Sequence, residues 1–174
     1  MVVACVCFIG AHNEPLSLQF FDSEDVISMQ FAVYAAVDVI EEKLQAQQQS
    51  AGGGGGGVAP ASGAASGPAS ASASASGAAS AECFMGAICP ALCLTRDYLL
   101  YAYVPTTGVK IVAAIEQRSQ YSSQDIRNLF RRLHRLYADS VCNPFLLGSI
   151  ETPAFLSQLD AIVAYYSRKL EEGA

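Results

Sequence analysis

The stretch VVACVCFIG, residues Val2–Gly10, decides the fold. It is apolar without a break and rich in β-branched residues. A strand with one wet face alternates apolar and polar side chains. An unbroken apolar run is what a strand covered on both faces requires. The stretch therefore reads as a central strand, and helices are expected on both sides of its sheet. Side chains alternate with a period of two along a strand, so Cys5 and Cys7 fall on one face of it.

Working outward, AHNEP supplies turn residues, and Leu16–Phe21 (LSLQFF) reads as a hairpin partner. A helix is expected over Asp22–Ala46. It opens on Asp22, Ser23, Glu24 and Asp25, all favourable at a helix N-terminus. Val26, Val33, Val37, Ile40 and Leu44 recur along it as an apolar stripe. Three strand-like runs follow: Cys83–Cys89, Tyr98–Val104 and Val109–Glu116. The segment Pro90–Leu94 is ambiguous, and Pro105–Gly108 (PTTG) makes a tight hairpin.

The second helix, SSQDIRNLFRRLHRLYADSV, has Ser122 and Asp125 as a capping-box variant. Its stripe is Ile126, Leu129, Phe130, Leu133, Leu136 and Tyr137. At about 100° per residue, Arg127, Arg131 and Arg135 fall together on the opposite side, with Arg132 on their flank. Asn143-Pro144-Phe145 then breaks the helix, because proline disfavours helical geometry in the residue before it. A last helix opens on Thr152-Pro153, a cap followed by proline at the first position. Phe155, Leu159, Ile162, Val163 and Tyr166 form its stripe. Strands and helices do not alternate singly, so the fold class is α+β with a mainly antiparallel sheet.

The 174 residues suit one domain, 1–174, interrupted at residues 50–82 by an Ala/Gly/Ser-rich insertion. The insertion has no aromatic residue to pack and is expected to be disordered. A formal net charge of -6 argues against a nucleic-acid binder, which must displace counterions from phosphates. The six cysteines read as reduced, mostly buried thiols; the C-x-C and C-x-x-x-C pairs lack the second pair or histidines of a zinc site. The N-terminus has no basic n-region, its apolar run is too short to span a bilayer, and the ends carry no lipidation motif. The run Gly52–Gly57 matches a dinucleotide-binding glycine pattern only formally, since no strand precedes it and no helix follows.

Few residues suggest chemistry. His12 sits in a turn, and His134 lies at the edge of an apolar stripe. A thiol enzyme using Cys142 or Cys93, with a histidine as base, is one reading; a half-buried structural histidine is the other. No pair of carboxylates is forced together for acid–base work, and no cofactor or small-molecule substrate is indicated. Tyr98, Tyr101 and Tyr103 read either as a binding face or as packing at the edge of the core. The arginine face reads either as a solvated helix surface or as a docking surface for an acidic partner or anionic lipid.

Taken together, RDYLLYAYVPTTGVKIVAAIEQ, IRNLFRRLHRLYADSVCNPF and the helix after ETPAF resemble the sedlin family of trafficking protein particle (TRAPP) subunits, most closely its subunit 2-like branch. PLSLQFF and the helix carrying AAVDVIEEK agree. The resemblance covers residues 1–46 and roughly 83–170. It implies a longin-like fold: five antiparallel strands, the first helix on one face and the last two on the other. It also implies a non-enzymatic assembly subunit of a vesicle-tethering complex in ER-to-Golgi and Golgi traffic. The partners would be other TRAPP subunits and, through the whole complex, a Rab-type GTPase and the membrane. The location implied is cytoplasmic and peripheral at those membranes. The family's acidic residue late in the first helix corresponds to Asp38, which resembles a partner-contact position. Where this chain has its long insertion, the family has a short polar loop.

Loop-closure cost rises slowly with length, so deleting Gly52–Ser80 and closing the gap with a short linker is expected to leave the melting temperature nearly unchanged. A drop of many degrees in a thermal scan would show that the segment packs.

Overall fold

A computed structural model of the chain describes residues 2–21, 26–51, 83–88, 98–117, 121–146 and 148–172. Five strands are present: β1 (Val3–Ile9), β2 (Pro15–Phe20), β3 (Phe84–Ile88), β4 (Tyr98–Tyr103) and β5 (Lys110–Glu116). Three helices accompany them: α1 (Val26–Ala51), α2 (Ser123–Val141) and α3 (Pro153–Glu172). The strands form one sheet in the order β2-β1-β5-β4-β3, and every neighbouring pair is antiparallel. The acidic residues Asp22–Asp25, read as the start of α1, lie outside the described residues, as do the segment Pro90–Leu94 and residues 52–82 of the insertion expected at 50–82, whose first two residues, Ser50 and Ala51, end α1 instead.

The apolar run at the N-terminus is explained by position. β1 lies between β2 and β5, and all its residues are buried. Val6 and Phe8 project into a core built with α2 and α3, while Cys5, Cys7 and Ile9 project into a second core under α1. β5 repeats the pattern: Ala113 belongs to the first core and Ala114 to the second. One helix covers one face and two cover the other, so neither central strand has a polar side to show.

Local chemistry sets the turns. Gly108 N–H donates to the Pro105 carbonyl at 3.0 Å and closes the β4–β5 hairpin. Gly108 has a φ of +79°, in the region that favours glycine. α1 continues to Ala51, beyond the end expected at Ala46, through a glutamine run that suits a helix. Thr152 caps α3 as expected, its hydroxyl accepting from Phe155 N–H at 3.2 Å. Ser122 occupies the cap position of α2 but makes no side-chain capping bond. Asp125, expected to complete a capping box, instead accepts a hydrogen bond from Lys169 and ties α2 to α3.

Lys110 is a charged group inside the apolar layer. Its ammonium donates to Asn13 Oδ1 at 2.7 Å and lies 3.7 Å from Glu41 Oε1. Asn13 Nδ2 donates in turn to Glu41 at 2.7 Å. The β1–β2 turn, β5 and α1 are therefore joined by one polar network, which compensates the burial of the ammonium.

Phe8 is fully buried, edge-on to Phe155 with ring centroids 5.5 Å apart and stacked on Tyr137 at 6.1 Å. Phe8→Ala is expected to cost about 3–5 kcal/mol in denaturant unfolding, since it opens a cavity that a closed three-layer core cannot refill. A cost under about 1 kcal/mol would contradict this packing.

Candidate functional site

α1 carries two apolar faces. Met29, Ala32, Val33, Ala36 and Ile40 are buried against the sheet. On the far side, Ile27 is 71% exposed, Phe31 69% and Tyr34 43%. Their spacing is four and then three residues, and Asp38 follows four residues later. At about 100° per residue, these four side chains share an arc of about 60°, centred nearly opposite the buried face. Asp38 is exposed, as its distance from the Val33–Val37–Ile40 stripe requires, and the exposed Glu42 stands one turn beyond. The outer surface of α1 is thus apolar at its start and acidic further along.

A water-facing helix surface is ordinarily polar, and a helix that is apolar on all sides is ordinarily buried. Single exposed apolar residues are common on soluble proteins; three in register on one helix are a patch. The stripe expected from the sequence is the one that packs on the sheet, and Ile27, Phe31 and Tyr34 lie outside it. Their own four-then-three spacing was the available signal.

The arginines of α2 divide. Arg131 and Arg135 are exposed, and Arg135 pairs with Asp139 at 3.8 Å, an exposed ion pair that contributes little to stability. Arg127, expected on the outward side with them, is half-buried, its guanidinium 5.2 Å from the ring centroid of Phe84 on β3. The cause lies outside the helix: the neighbouring edge strand supplies the aromatic face of Phe84, which attracts the cation. The tyrosines do not form one face either. Tyr98 packs toward the α1 core, and Tyr101 and Tyr103 toward the α2–α3 core.

The enzymatic reading gains no constellation. His134 is half-buried with its ring 5.5 Å from Tyr103, and burial lowers its pKa. Cys142, the residue that caps the C-terminus of α2, lies eight residues further along, about 12 Å by helical rise, too far for a dyad. Cys93 and Cys89 lie outside the described residues. Among the described residues, no cluster of His, Cys, Asp or Glu could hold a metal ion. No described helix is long and apolar enough to cross a membrane.

The thiols differ from one another. Cys5 and Cys7 are buried under α1, and desolvation raises the pKa of both, that of Cys7 to about 12. Cys83 is half-buried and Cys142 is exposed, so the expectation of mostly buried thiols holds for β1 and fails at the end of α2. Alkylation of the native protein near pH 8 is expected to modify Cys142 readily and to spare Cys5 and Cys7 until the chain is unfolded. Fast labelling of Cys5 or Cys7 in mass spectra of native protein would contradict their burial.

Comparison with known proteins fits this architecture. The sedlin family model matches residues 8–167. The trafficking protein particle complex subunit 2-like protein of Bos taurus is 26% identical over 145 residues, covering 83% of each chain. The protein of that name from Xenopus tropicalis matches to the same extent. The Dictyostelium discoideum protein of that name is 24% identical over 167 residues, covering 92% of this chain and 96% of its own. The family match runs from the end of β1 into α3, and the chain belongs to the sedlin family.

Proposed function

We propose that this chain is a non-catalytic assembly subunit of a TRAPP-type vesicle-tethering complex, and that it joins a neighbouring subunit through the outward face of α1. The observation that carries this reading is the row Ile27, Phe31, Tyr34 and Asp38. The apolar residues supply the buried centre of a contact, and Asp38 and Glu42 supply an acidic rim. Family membership supports the kind of assembly, since the relatives above are named as subunit 2-like proteins of the trafficking protein particle complex.

In this reading the chain acts in the cytoplasm, peripherally at endoplasmic reticulum and Golgi membranes. A Rab-type GTPase is served by the whole complex, whose exchange residues lie on other subunits. The exposed arginines of α2, Arg131 and Arg135, with Arg127 beside them, act as a secondary, salt-sensitive contact for an acidic surface.

The test is assembly measured beside folding. Asp38→Tyr replaces a small anion with a bulky ring on the outer surface of α1, and Phe31→Asp places a charge in the centre of the proposed contact. Both are expected to leave circular dichroism and melting temperature close to wild type, because neither residue packs in the core. Both are expected to reduce co-purification of partner subunits by at least about tenfold. A folded Asp38→Tyr protein that assembles at wild-type affinity would remove Asp38 from the interface. An unfolded one would make Asp38 structural.

Replacing Arg131 and Arg135 together by Glu should likewise spare the fold and weaken association mainly at low salt. Association unchanged at every salt concentration would leave the arginines as a solvated face.

A further inference from the structure

The first half of α1 is apolar on almost every side. From Val26 to Val37, only Ser28 and Gln30 are neither apolar nor aromatic. Met29, Val33 and Ala36 face the sheet, while Ile27, Phe31 and Tyr34 face away. Such a pattern sets the roll of a helix about its own axis only loosely. Two of the residues against the sheet, Ala32 and Ala36, have short side chains that interlock little with their neighbours. In the second half, the exposed Asp38 and Glu42 keep one side in water, and Glu41 stands half-buried between that side and the buried stripe.

Glu41 is met by a pair of groups built for it. Lys110 on β5 is 3% exposed, the one charged side chain among the buried described residues. Its ammonium lies 3.7 Å from Glu41 Oε1, longer than a good hydrogen bond, and Asn13 spans the gap. Asn13 Oδ1 accepts from Lys110 and Asn13 Nδ2 donates to Glu41, both at 2.7 Å. Asn13 is itself held in place, with a φ of +65° that few residues other than glycine adopt. The turn around it is closed by Asn13 N–H to the Gly10 carbonyl at 3.1 Å and Gly10 N–H to the Glu14 carbonyl at 2.8 Å. His12 N–H donates to the Glu14 carboxylate at 2.9 Å and braces the same turn.

We propose that the Lys110–Asn13–Glu41 network sets the roll of α1, and with it which side chains the helix turns toward solvent. At about 100° per residue, Glu41 stands only about 20° from Tyr34 around the helix, on the flank that also bears Ile27. Rolling that flank toward the sheet would bury Tyr34 and Ile27, and apolar burial favours it. The same roll would carry the Glu41 carboxylate off its partners and into the apolar layer. Rolling the other way would pull Glu41 away from Lys110 and leave a buried ammonium short of its counter-charge. Either displacement costs a desolvated, unpaired charge. A buried ion pair of this kind adds little net stability, and its best attested use is to select one arrangement among near-equal ones. Lys110 and Asn13 are thus positioning residues and touch no partner themselves. The consequence for assembly rests on the α1 contact proposed above; the roll is a property of the free chain.

The test uses the full chain carrying Lys110→Met together with Glu41→Leu, which exchanges the ion pair for apolar side chains. The melting temperature is expected to stay within a few degrees of wild type. The freed flank then rolls inward, and Met29 is carried from beneath the helix toward its far edge. Oxidation of Met29 by hydrogen peroxide should become at least about fivefold faster, while hydroxyl-radical oxidation of Tyr34 falls by about half. Met85 on β3 is the internal control and should react as in wild type. Asn13→Gly removes the bridge alone, at a φ that glycine tolerates, and should shift both rates in the same direction. Unchanged rates at Met29 and Tyr34 in either folded variant overturn the proposal, since apolar packing would then set the roll. So does a double variant that melts many degrees lower, because the network would then hold the fold together rather than orient the helix. Co-purification of partner subunits by the double variant is expected to fall about tenfold although Phe31 and Asp38 are intact. Faster Met29 oxidation with association at the wild-type level would uphold the roll and remove the outer face of α1 from the contact.

Discussion

Everything in this fold depends on the antiparallel pairing of β1 with β5 at the centre of the sheet. Both strands are covered on both faces, so every side chain between Val3 and Ile9 must be apolar and must fit one of two cores. That requirement fixes the register, because a slip of one residue would exchange the two sets of side chains between cores of different shape. It also fixes the number of layers: once the central pair is apolar on both sides, helices must lie on both. The one charged residue admitted, Lys110, stands at the end of β5, where Asn13 and Glu41 receive it.

The two helical layers meet this demand differently. α2 and α3 pack on the sheet and on each other, share one core in which Phe8 meets Phe155 and Phe130 meets Phe84, and are tied by Lys169 and Asp125. α1 works alone. It seals its core with small and medium side chains, Ala32, Val33, Ala36, Val37 and Ile40, and so lies close to the strands. Its opposite surface has no helix beside it among the described residues, yet carries Ile27, Phe31 and Tyr34. The sheet thus has one side completed within the chain and another whose helix is left with an apolar outer surface. In the proposed assembly that asymmetry is useful, because the contact would be borne by a single helix that the polar network at Glu41 ties to the sheet.

Much of this was legible in the sequence, for a physical reason. Burial on both faces leaves an unbroken apolar run, and VVACVCFIG and the IVAAI of β5 carry it. Single-sided helices leave a stripe, and the stripes of α2 and α3 pointed to their buried residues, including Phe130, Leu133 and Leu159. Asp38 could be placed on the surface by angle alone. What the sequence hid was relational. The half-burial of Arg127 depends on Phe84, which is distant in the chain and meets it only when β3 takes the sheet edge. The loss of the expected capping box depends on Lys169 reaching Asp125 from another helix. The outer patch of α1 was hidden for another reason: a helix apolar on two opposite faces blurs its own periodicity, and counting one stripe conceals the second.

The central claim is that the outer face of α1 is covered when the protein is in its assembly. Hydroxyl-radical footprinting of the free chain and of the natively purified complex reads this directly, since it reports solvent access of individual aromatic side chains. The account predicts that Phe31 and Tyr34 are oxidised readily in the free chain and strongly protected in the complex. Equal oxidation of Phe31 and Tyr34 in the two samples, with the chain demonstrably bound, would contradict it.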